Sequence, residues 1–426
     1  MKLTQFPRLS ESLYSTTAKC GLPIKIVPKP GFSRKLAYFV TDFGSIHRSF
    51  EWEGRVYQVP AGIAHFLEHK MFELPGRDVS AEFAALGANV NAFTSYDVTA
   101  YYFSCSENFR ENLELLLEFV STPYFPEDSV QREMGIIDQE IGMNLDAPES
   151  RVFEDLMQIA FHNHPIRVPI LGSSESIREI TPELLTACHQ AFYTPENMVL
   201  CIVGDVDPQE VEESVDKILG TQRKNPGKKV NSWPEPMSVE SPECRRTMEV
   251  SMPTFQLAFK SEPQEAGEAA IREEMVGDLA AEALFGESSP LYLKLYEENI
   301  IDSSFGGGFE SLDGGAMLTC GGDSYEPEAI REAILARAAE IARDGIPEAD
   351  FLRMKRSAFG RRIRDLDSFD STCFRICAYH FDHYDYFDFP SIYTSIQQSE
   401  VCRFLDRVVR RERCALCVIE PKEEKI

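Results

Sequence analysis

The sequence predicts an α+β fold of two related sandwich domains, each a largely antiparallel sheet with helices packed against it. Three observations indicate this fold. The chain has 426 residues, of which 43% are hydrophobic, so it can form two hydrophobic cores. Predicted strands and helices alternate in an irregular order that favours hairpins over βαβ units. The same order of elements occurs in both halves of the chain, which indicates a diverged repeat.

A segment rich in Pro, Gly and Lys separates the two halves. It covers residues 223–243 and shows no hydrophobic periodicity. Such a composition is typical of a linker. The sequence therefore predicts a first domain at residues 1–222 and a second domain at residues 244–426.

In the first half, apolar patterns predict strands and helices in alternation. A strand at residues 36–40 is followed by a helix that runs through His65. A strand over residues 91–103 comes next. It is followed by an amphipathic helix over residues 108–121 and by a helix that runs through Glu140.

The second half repeats this order. Its predicted elements are a strand at 257–259, helices at 271–285 and 291–298, strands flanking Gly306–Gly308 and running through 316–320, and helices at 328–344 and 350–364.

The charge balance limits the classes of partner. The chain has 69 Asp and Glu residues against 43 Lys and Arg residues, a formal net charge of −26. Such a surface repels a phosphate backbone and an anionic membrane face, so nucleic-acid binding and membrane binding are not expected. No apolar run is long enough to span a membrane, and the amino terminus lacks the apolar core of a signal peptide. The protein is therefore predicted to be soluble and cytoplasmic.

Eleven cysteines are scattered along the chain, an odd number without a repeated spacing. This pattern is typical of reduced, mostly buried thiols rather than of a disulfide framework. Cys414 and Cys417 form a C-x-x-C, but they lie in an apolar run that is predicted to be a strand. No helix begins after it to lower the pKa of a thiol.

The strongest chemical signal is the H-x-x-E-H pattern of His65, Glu68 and His69. At about 100° per residue, the three side chains share one face of a helix. Two imidazoles one turn apart can hold one Zn²⁺, and the carboxylate beside them can accept a proton from water. The alternative is a pair of surface histidines on an acidic helix. It is disfavoured because the apolar residues Phe66 and Leu67 lie between them.

A catalytic zinc needs a third protein ligand and one open position. Glu133 and Glu140 are seven residues apart and share one face of a predicted helix, so one could bind the metal while the other supports a ligand. The pattern does not choose between them. Glu118 and Asp138 are further candidates, whereas Cys105 is disfavoured because it lies in a strand with no partner motif.

These motifs resemble those of the insulinase/pitrilysin family of zinc peptidases, in its short bacterial and mitochondrial-processing-peptidase branch. The resemblance covers nearly the whole chain and is densest over residues 59–208. The matching motifs lie at residues 62–69, 87–94, 99–102, 133–140, 170–172, 193–198 and 204–206.

The resemblance implies a zinc-dependent endopeptidase that holds one Zn²⁺ per chain. It implies that His65, His69 and Glu140 are the zinc ligands and that Glu68 is the general base. It also implies that Glu133 orients a ligand rather than binding zinc directly.

The resemblance further implies an edge strand onto which an extended or unfolded peptide adds by main-chain pairing. The residues of this predicted substrate-binding strand are Asn89, Asn91, Ala92 and Phe93. The alternative is an ordinary sheet strand.

The second half departs from the family pattern. Tyr296 and Ser303 stand where the family has an Arg and a Tyr that grip the substrate, and Met354 and Arg361 stand where the repeat places the two helix carboxylates. This half has no H-x-x-E-H and is predicted to hold no metal. The family's chamber is a clamshell of four such domains, and this chain supplies two. The resemblance therefore implies a dimer, preferably with a related subunit that lacks the zinc motif and keeps the Arg/Tyr pair.

Two other classes of function compete with a peptidase. One is a peptidase-like binding or scaffold subunit that is active only when paired with a second subunit. The other is a redox metalloprotein, which is disfavoured because Glu68 would have no role in it. His162 with His164, and His380 with His383, are interpreted as loop and packing residues because neither pair has a third ligand nearby in the sequence.

Overall fold

A computed structural model of the chain describes residues 1–230 and 233–422. The strands in these residues are β1 (Lys2–Phe6), β2 (Glu11–Thr17), β3 (Pro23–Pro28), β4 (Lys35–Thr41), β5 (Ser49–Trp52), β6 (Arg55–Gln58), β7 (Glu73–Leu74), β8 (Arg77–Asp78), β9 (Asn89–Thr94), β10 (Thr99–Cys105), β11 (Met198–Gly204), β12 (Lys228–Lys229), β13 (Glu243–Met248), β14 (Thr254–Ser261), β15 (Gly306–Leu312), β16 (Gly315–Asp323) and β17 (Cys414–Pro421).

The α-helices in the same residues are α1 (Ile63–Met71), α2 (Val79–Ala85), α3 (Phe109–Ser121), α4 (Glu127–Asp146), α5 (Pro148–Ala160), α6 (Pro182–Phe192), α7 (Pro208–Leu219), α8 (Glu268–Phe285), α9 (Pro290–Glu297), α10 (Pro327–Asp344), α11 (Glu348–Arg364), α12 (Phe369–Phe381), α13 (Phe389–Ser395) and α14 (Gln398–Val408).

Each half of the chain builds one large sheet. The first has the order β1-β2-β3-β11-β4-β10-β9, and the second has the order β13-β17-β14-β16-β15. All neighbouring strands are antiparallel except the pairs β3/β11 and β13/β17, which are parallel. The prediction of two α+β domains with largely antiparallel sheets and packed helices is confirmed.

The repeat is visible in the topology of the two sheets. The five strands β3-β11-β4-β10-β9 have the same order and the same relative directions as β13-β17-β14-β16-β15. At the centre of the first sheet, every residue of β11 is buried, because this strand is covered on both faces. Its continuous apolar sequence follows from that position.

The compact units of the structure differ from the sequential domains predicted at residues 1–222 and 244–426. Unit 1 contains Met1–Ile141, the segment from Pro169 to residue 230, and Ile363–Asp388, and unit 2 contains the rest of the described chain. The two halves exchange helices. In unit 2, α5 packs on β13, β14 and β17, and in unit 1, α12 packs on β4 and β11. Long-range packing of this kind leaves no mark in the local composition from which a linker is predicted.

The segment predicted as a linker, residues 223–243, takes part in both units. In unit 1, β12 pairs with β5. In unit 2, Glu235 accepts hydrogen bonds from the backbone N–H groups of residues 162, 163 and 164 and from the buried Lys260. The carboxylate of Glu235 therefore anchors this segment, although the composition suggested only a connection. Residues 231 and 232 of the predicted linker lie outside the described residues.

The strand predicted over residues 91–103 is two strands, β9 and β10, which form a hairpin. The chain reverses over residues 95–98, where the Ser95 Oγ accepts a hydrogen bond from the Val98 N–H and donates one to the Val98 carbonyl. Ser and Asp favour such turns because their side chains bond to nearby backbone groups. The turn places β9 at the edge of the first sheet.

In the described part of the chain, no helix combines the length and the apolar character that crossing a bilayer requires.

Candidate metal centre

Helix α1 in unit 1 carries His65, Glu68 and His69. It starts after Gly62, whose φ of 89° lies in the left-handed region. A side chain at this glycine would also collide with the backbone, because a Cβ would lie 2.4 Å from the carbonyl oxygen of Leu171. The opposite face of the helix is fully buried in the core of unit 1. Glycine and packing together therefore set the direction in which the three polar side chains point.

Helix α4 brings Glu140 to the two imidazoles. Its Oε1 lies 3.7 Å from Nε2 of His65, and its Oε2 lies 3.6 Å from Nε2 of His69. One ligand atom from each of the three side chains lies within 4.8 Å of the others. The structure therefore brings together the three residues that the resemblance implied as ligands.

The donor set of these residues fits zinc. Two ligands that are about 2.1 Å from a tetrahedral ion lie roughly 3.4 Å apart, close to the observed imidazole–carboxylate separations. Two imidazole nitrogens and one carboxylate oxygen also match the His₂Glu ligand sets of catalytic zinc sites, which leave one position open. His65, His69 and Glu140 would hold the ion.

Glu133 lies one step outside this donor set. Its Oε1 is 3.0 Å from Nδ1 of His69, so the Nδ1–H of the imidazole donates to the carboxylate. This tautomer leaves the lone pair of Nε2 free on the side that faces Glu140. The carboxylate of Glu133 therefore holds the ring of His69 in the orientation that a metal ligand needs.

The other acids that the sequence left open do not reach the imidazoles. Glu118 accepts hydrogen bonds from Arg77. Asp138 and Cys105 are absent from the groups of side chains in the described residues that could hold a metal. The spacing along the chain could not separate these candidates from Glu140, because it does not report which helices meet.

Glu68 is nearly buried, with 8% of its surface exposed. Its Oε2 accepts a hydrogen bond of 2.7 Å from the Oγ1 of Thr94 at the end of β9. Burial raises the pKa of Glu68, while the bond from Thr94 and the charge of His69 oppose that rise. A carboxylate with a raised pKa is better matched to accepting a proton near neutral pH.

Thr94 is the site residue that the sequence analysis missed. It belongs to the matching motif at residues 87–94, but no spacing relates it to the H-x-x-E-H pattern. The β9–β10 hairpin brings it to Glu68. The face of β9 could have been a signal, since residues 90, 92 and 94 alternate with the outward residues 89, 91 and 93.

The two imidazoles differ in their electrostatic environment. Burial, together with the neighbouring His69, lowers the pKa of His65 to about 3. Burial also lowers the pKa of His69, but the hydrogen bond to Glu133 and the charges of Glu68, Glu133 and Glu140 outweigh it and raise the pKa overall. A neutral His65 at neutral pH is the form in which an imidazole binds metal.

The predicted substrate strand lies at the edge of the first sheet. Within the described residues, β9 pairs only with β10. The Ala92 N–H is held by the Oδ1 of Asn91 at 2.9 Å, and Asn89 and Asn91 are exposed. The ring of Phe93 packs against Phe374 of α12. The backbone of this strand has the free edge that main-chain pairing requires.

In unit 2, the residues that depart from the family pattern have no metal ligands around them. Tyr296 is half exposed on α9 and stacks on Tyr292, and Ser303 is exposed. On α11, Met354 is buried, and Arg361 pairs with Glu282.

The two other histidine pairs are not metal sites in the described residues. His164 is buried, and its Nε2 bonds to the carbonyl of Asp313, while His162 bonds to the carbonyl of Ser238. His380 and His383 lie at the end of α12, where burial lowers the pKa of His380 to about 4.

The sequence matches two family profiles. Residues 56–174 match "Insulinase (Peptidase family M16)", and residues 179–358 match "Peptidase M16 inactive domain". The first match contains all the residues of the candidate metal centre. The second covers much of the second half, which has no H-x-x-E-H.

Two relatives are similar over nearly their whole length. The zinc protease YmfH of Bacillus subtilis is 36% identical over 437 aligned residues, which cover 99% of this chain and 100% of that protein. A crystal structure of an M16-like peptidase from Alicyclobacillus acidocaldarius has a TM-score of 0.93 and 30% identity, and the match covers 97% of this chain and 99% of that one. A protease from Helicobacter pylori, 20% identical with a TM-score of 0.80 over 96% of this chain and 99% of its own, shares the fold.

The family resemblance predicted from the motifs is thus confirmed over almost the entire sequence. The chain belongs to the insulinase family of peptidases, peptidase family M16.

Proposed function

We propose that the chain is a zinc-dependent endopeptidase that hydrolyses extended peptides or unfolded protein segments. The observation that carries this proposal is the convergence of His65, His69 and Glu140 beside a buried Glu68. The zinc-protease name of the Bacillus subtilis relative supports it. Zinc held there, one per chain, would supply a Lewis acid that polarises a carbonyl and lowers the pKa of water.

The chain's own residues would perform the remaining work. Glu68 would take a proton from the attacking water and return it to the amine of the departing peptide. Thr94 would hold one carboxylate oxygen of Glu68 through its 2.7 Å hydrogen bond, which leaves the other oxygen free for the proton. Glu133 would fix the ring of His69 through Nδ1.

The substrate would bind as an added strand on β9. Asn89, Asn91, Ala92 and Phe93 lie on this edge, and the last residue of the same strand, Thr94, contacts Glu68. A peptide that pairs with this edge must be extended, because only an extended backbone presents its N–H and C=O groups in ladder register. Folded proteins are therefore not expected as substrates.

We propose that the active form is a dimer, preferably with a related subunit that lacks the zinc motif and supplies the Arg/Tyr pair. Tyr296 and Ser303 support this proposal, because neither side chain can replace a guanidinium and a phenol in the order that the family uses. The partner and the substrate would enclose a clamshell chamber. We place this activity in the cytoplasm.

The competing proposal is a peptidase-like binding or scaffold subunit that gains activity only when paired with a second subunit. The same departure at Tyr296 and Ser303 favours it. The two proposals differ in what the purified chain does alone, since a scaffold subunit cleaves nothing by itself whether or not it holds zinc.

The test combines metal content with cleavage of an unstructured, fluorogenic peptide. We expect about one zinc per chain. His65→Ala and Glu140→Gln should lose both zinc and cleavage, whereas Glu68→Gln should keep zinc and lose cleavage. Glu118→Gln, which alters an acid bound to Arg77, is the matched control and should keep both. Retained cleavage in Glu68→Gln would refute the assigned base, and full zinc in Glu140→Gln would refute the third ligand.

A further inference from the structure

Two cysteines face each other in unit 2, far along the chain from the metal centre. Cys244 on β13 and Cys417 on β17 are register partners on adjacent parallel strands. Registered residues project to the same face of a sheet, so the two thiols meet. Their sulfur atoms and a carboxylate oxygen of Asp155 all lie within 4.8 Å of one another. Cys417 is buried, and Cys244 is partly exposed.

The acid in this cluster is already engaged. Asp155 accepts a hydrogen bond of 2.6 Å from Arg151 and two bonds, of 2.5 and 3.1 Å, from Arg246. Both carboxylate oxygens are therefore occupied by charged donors. A divalent cation would have to displace the donors and would be repelled by the two guanidinium groups. The cluster is thus poorly suited to a metal, and its chemistry rests on the two thiols.

We propose that Cys244 and Cys417 form a disulfide when the protein meets a low-molecular-weight disulfide, with Cys244 reacting first. Adjacent strands are roughly 4.8 Å apart, which lies within the Cα separations of about 4.4–6.8 Å that disulfides tolerate. The sulfurs must approach to about 2 Å. In the described residues β13 is an edge strand that pairs only with β17, so it can shift toward its neighbour. This inference is independent of the proposed peptidase activity.

The reaction has two exchange steps. The Cys244 thiolate attacks one sulfur of the small disulfide, and the S–S bond breaks to release one small thiolate. The Cys417 thiolate then attacks the sulfur of Cys244, and the second small thiolate leaves. The two protein thiols lose two electrons and two protons, and the small disulfide becomes two thiols. Burial raises the pKa of Cys417, so we expect the second step to be the slower one.

The C-x-x-C motif in the sequence is not the reacting pair. Cys414 and Cys417 are three residues apart on β17, so their side chains project to opposite faces of the sheet. The partner of Cys417 is 173 residues upstream and could not be read from a local motif. Cys402 is the other partly exposed cysteine and serves as a control for simple accessibility.

The experiment treats the folded, full-length protein with glutathione disulfide, alkylates the remaining thiols and maps tryptic peptides without reduction. We expect the peptide that ends at Arg245 to be linked to the peptide that begins at Cys414. Cys417→Ala should abolish the link and leave glutathione attached to Cys244. Cys414→Ala removes the other thiol of the same peptide and should keep the link.

Three outcomes would overturn the proposal. One is a wild-type protein that retains glutathione on Cys244 without the link, and another is modification of Cys402 ahead of Cys244. The third is a second bound zinc that both Cys244→Ala and Cys417→Ala remove. If Cys417→Ala fails to fold, Cys244→Ala at the partly exposed position makes the same test, because it too should abolish the link.

Discussion

The Oγ1 of Thr94 donates a hydrogen bond of 2.7 Å to the Oε2 of Glu68, and so joins the edge strand β9 to the helix that carries both histidines. This bond stabilises the charged carboxylate and opposes the effect of burial on its pKa. The strand proposed to receive substrate and the proposed base are thereby one mechanical unit.

Thr94→Val should raise the pKa of Glu68, because it removes a donor to the carboxylate while leaving burial unchanged. If Glu68 must be ionised to act, activity is lost as the pH falls through its pKa. The acid limb of the kcat/KM profile should therefore move to higher pH, with a loss of roughly 10-fold at neutral pH. Thr94→Ser keeps the hydroxyl and should restore the wild-type profile. An unchanged acid limb in Thr94→Val would contradict this role.

Glu133→Gln should weaken zinc binding without removing a ligand. The amide is a poorer acceptor for the Nδ1–H of His69, so the ring loses its fixed orientation. A loss of zinc affinity of about 10- to 100-fold is expected, measured by competition with a chelator. Asp138→Asn on the same helix is the matched control and should leave the affinity unchanged. Equal affinities for Glu133→Gln and wild type would show that the hydrogen bond has no such function.

Gly62→Ala should destabilise the protein strongly. The φ of 89° is unfavourable for alanine, and the added Cβ would lie 2.4 Å from the Leu171 carbonyl oxygen. A cost on the order of 3 kcal/mol is expected in urea unfolding. Gly87 has a φ of 76°, and a Cβ added there would meet nothing within 4 Å. Gly87→Ala should therefore cost only about 1 kcal/mol. Equal losses for the two variants would show that the contact with Leu171 is unimportant.

His189 should make the protein sensitive to acid. Burial lowers its pKa from 6.5 to about 4, although its Nε2–H donates to the carbonyl of Val120 at 3.0 Å. Below pH 6.5 the unfolded chain binds a proton that the folded chain refuses, so stability is lost as the pH falls toward 4. The loss between pH 7 and pH 5 is about 2 kcal/mol.

The measurement is the free energy of unfolding in urea at each pH for wild type and His189→Gln. The variant should lack this part of the pH dependence, while His383→Asn, at an exposed histidine, should retain it. Identical slopes for wild type and His189→Gln would refute the assignment.

The candidate site was predicted in part because its first elements are local. His65, Glu68 and His69 are related by the helical repeat, and the helix forms where its apolar residues face the core. The third donor was not local. Glu133, Glu140, Glu118 and Asp138 were all open by spacing, and the resemblance to the family, not the pattern, favoured Glu140.

By itself the sequence determined the α+β class, the repeated order of elements, the helix with its H-x-x-E-H face and the strongly acidic surface. These properties follow from composition and from periods of two and 3.6 residues, which any short segment carries. Only the tertiary structure decided which carboxylate meets the imidazoles, that Thr94 contacts Glu68, that α5 and α12 pack in units built mainly from the other half of the chain, and that Cys244 faces Cys417. Each of these depends on segments that are distant in the sequence, and the contact is made by the packing of whole sheets and helices, which no local period encodes.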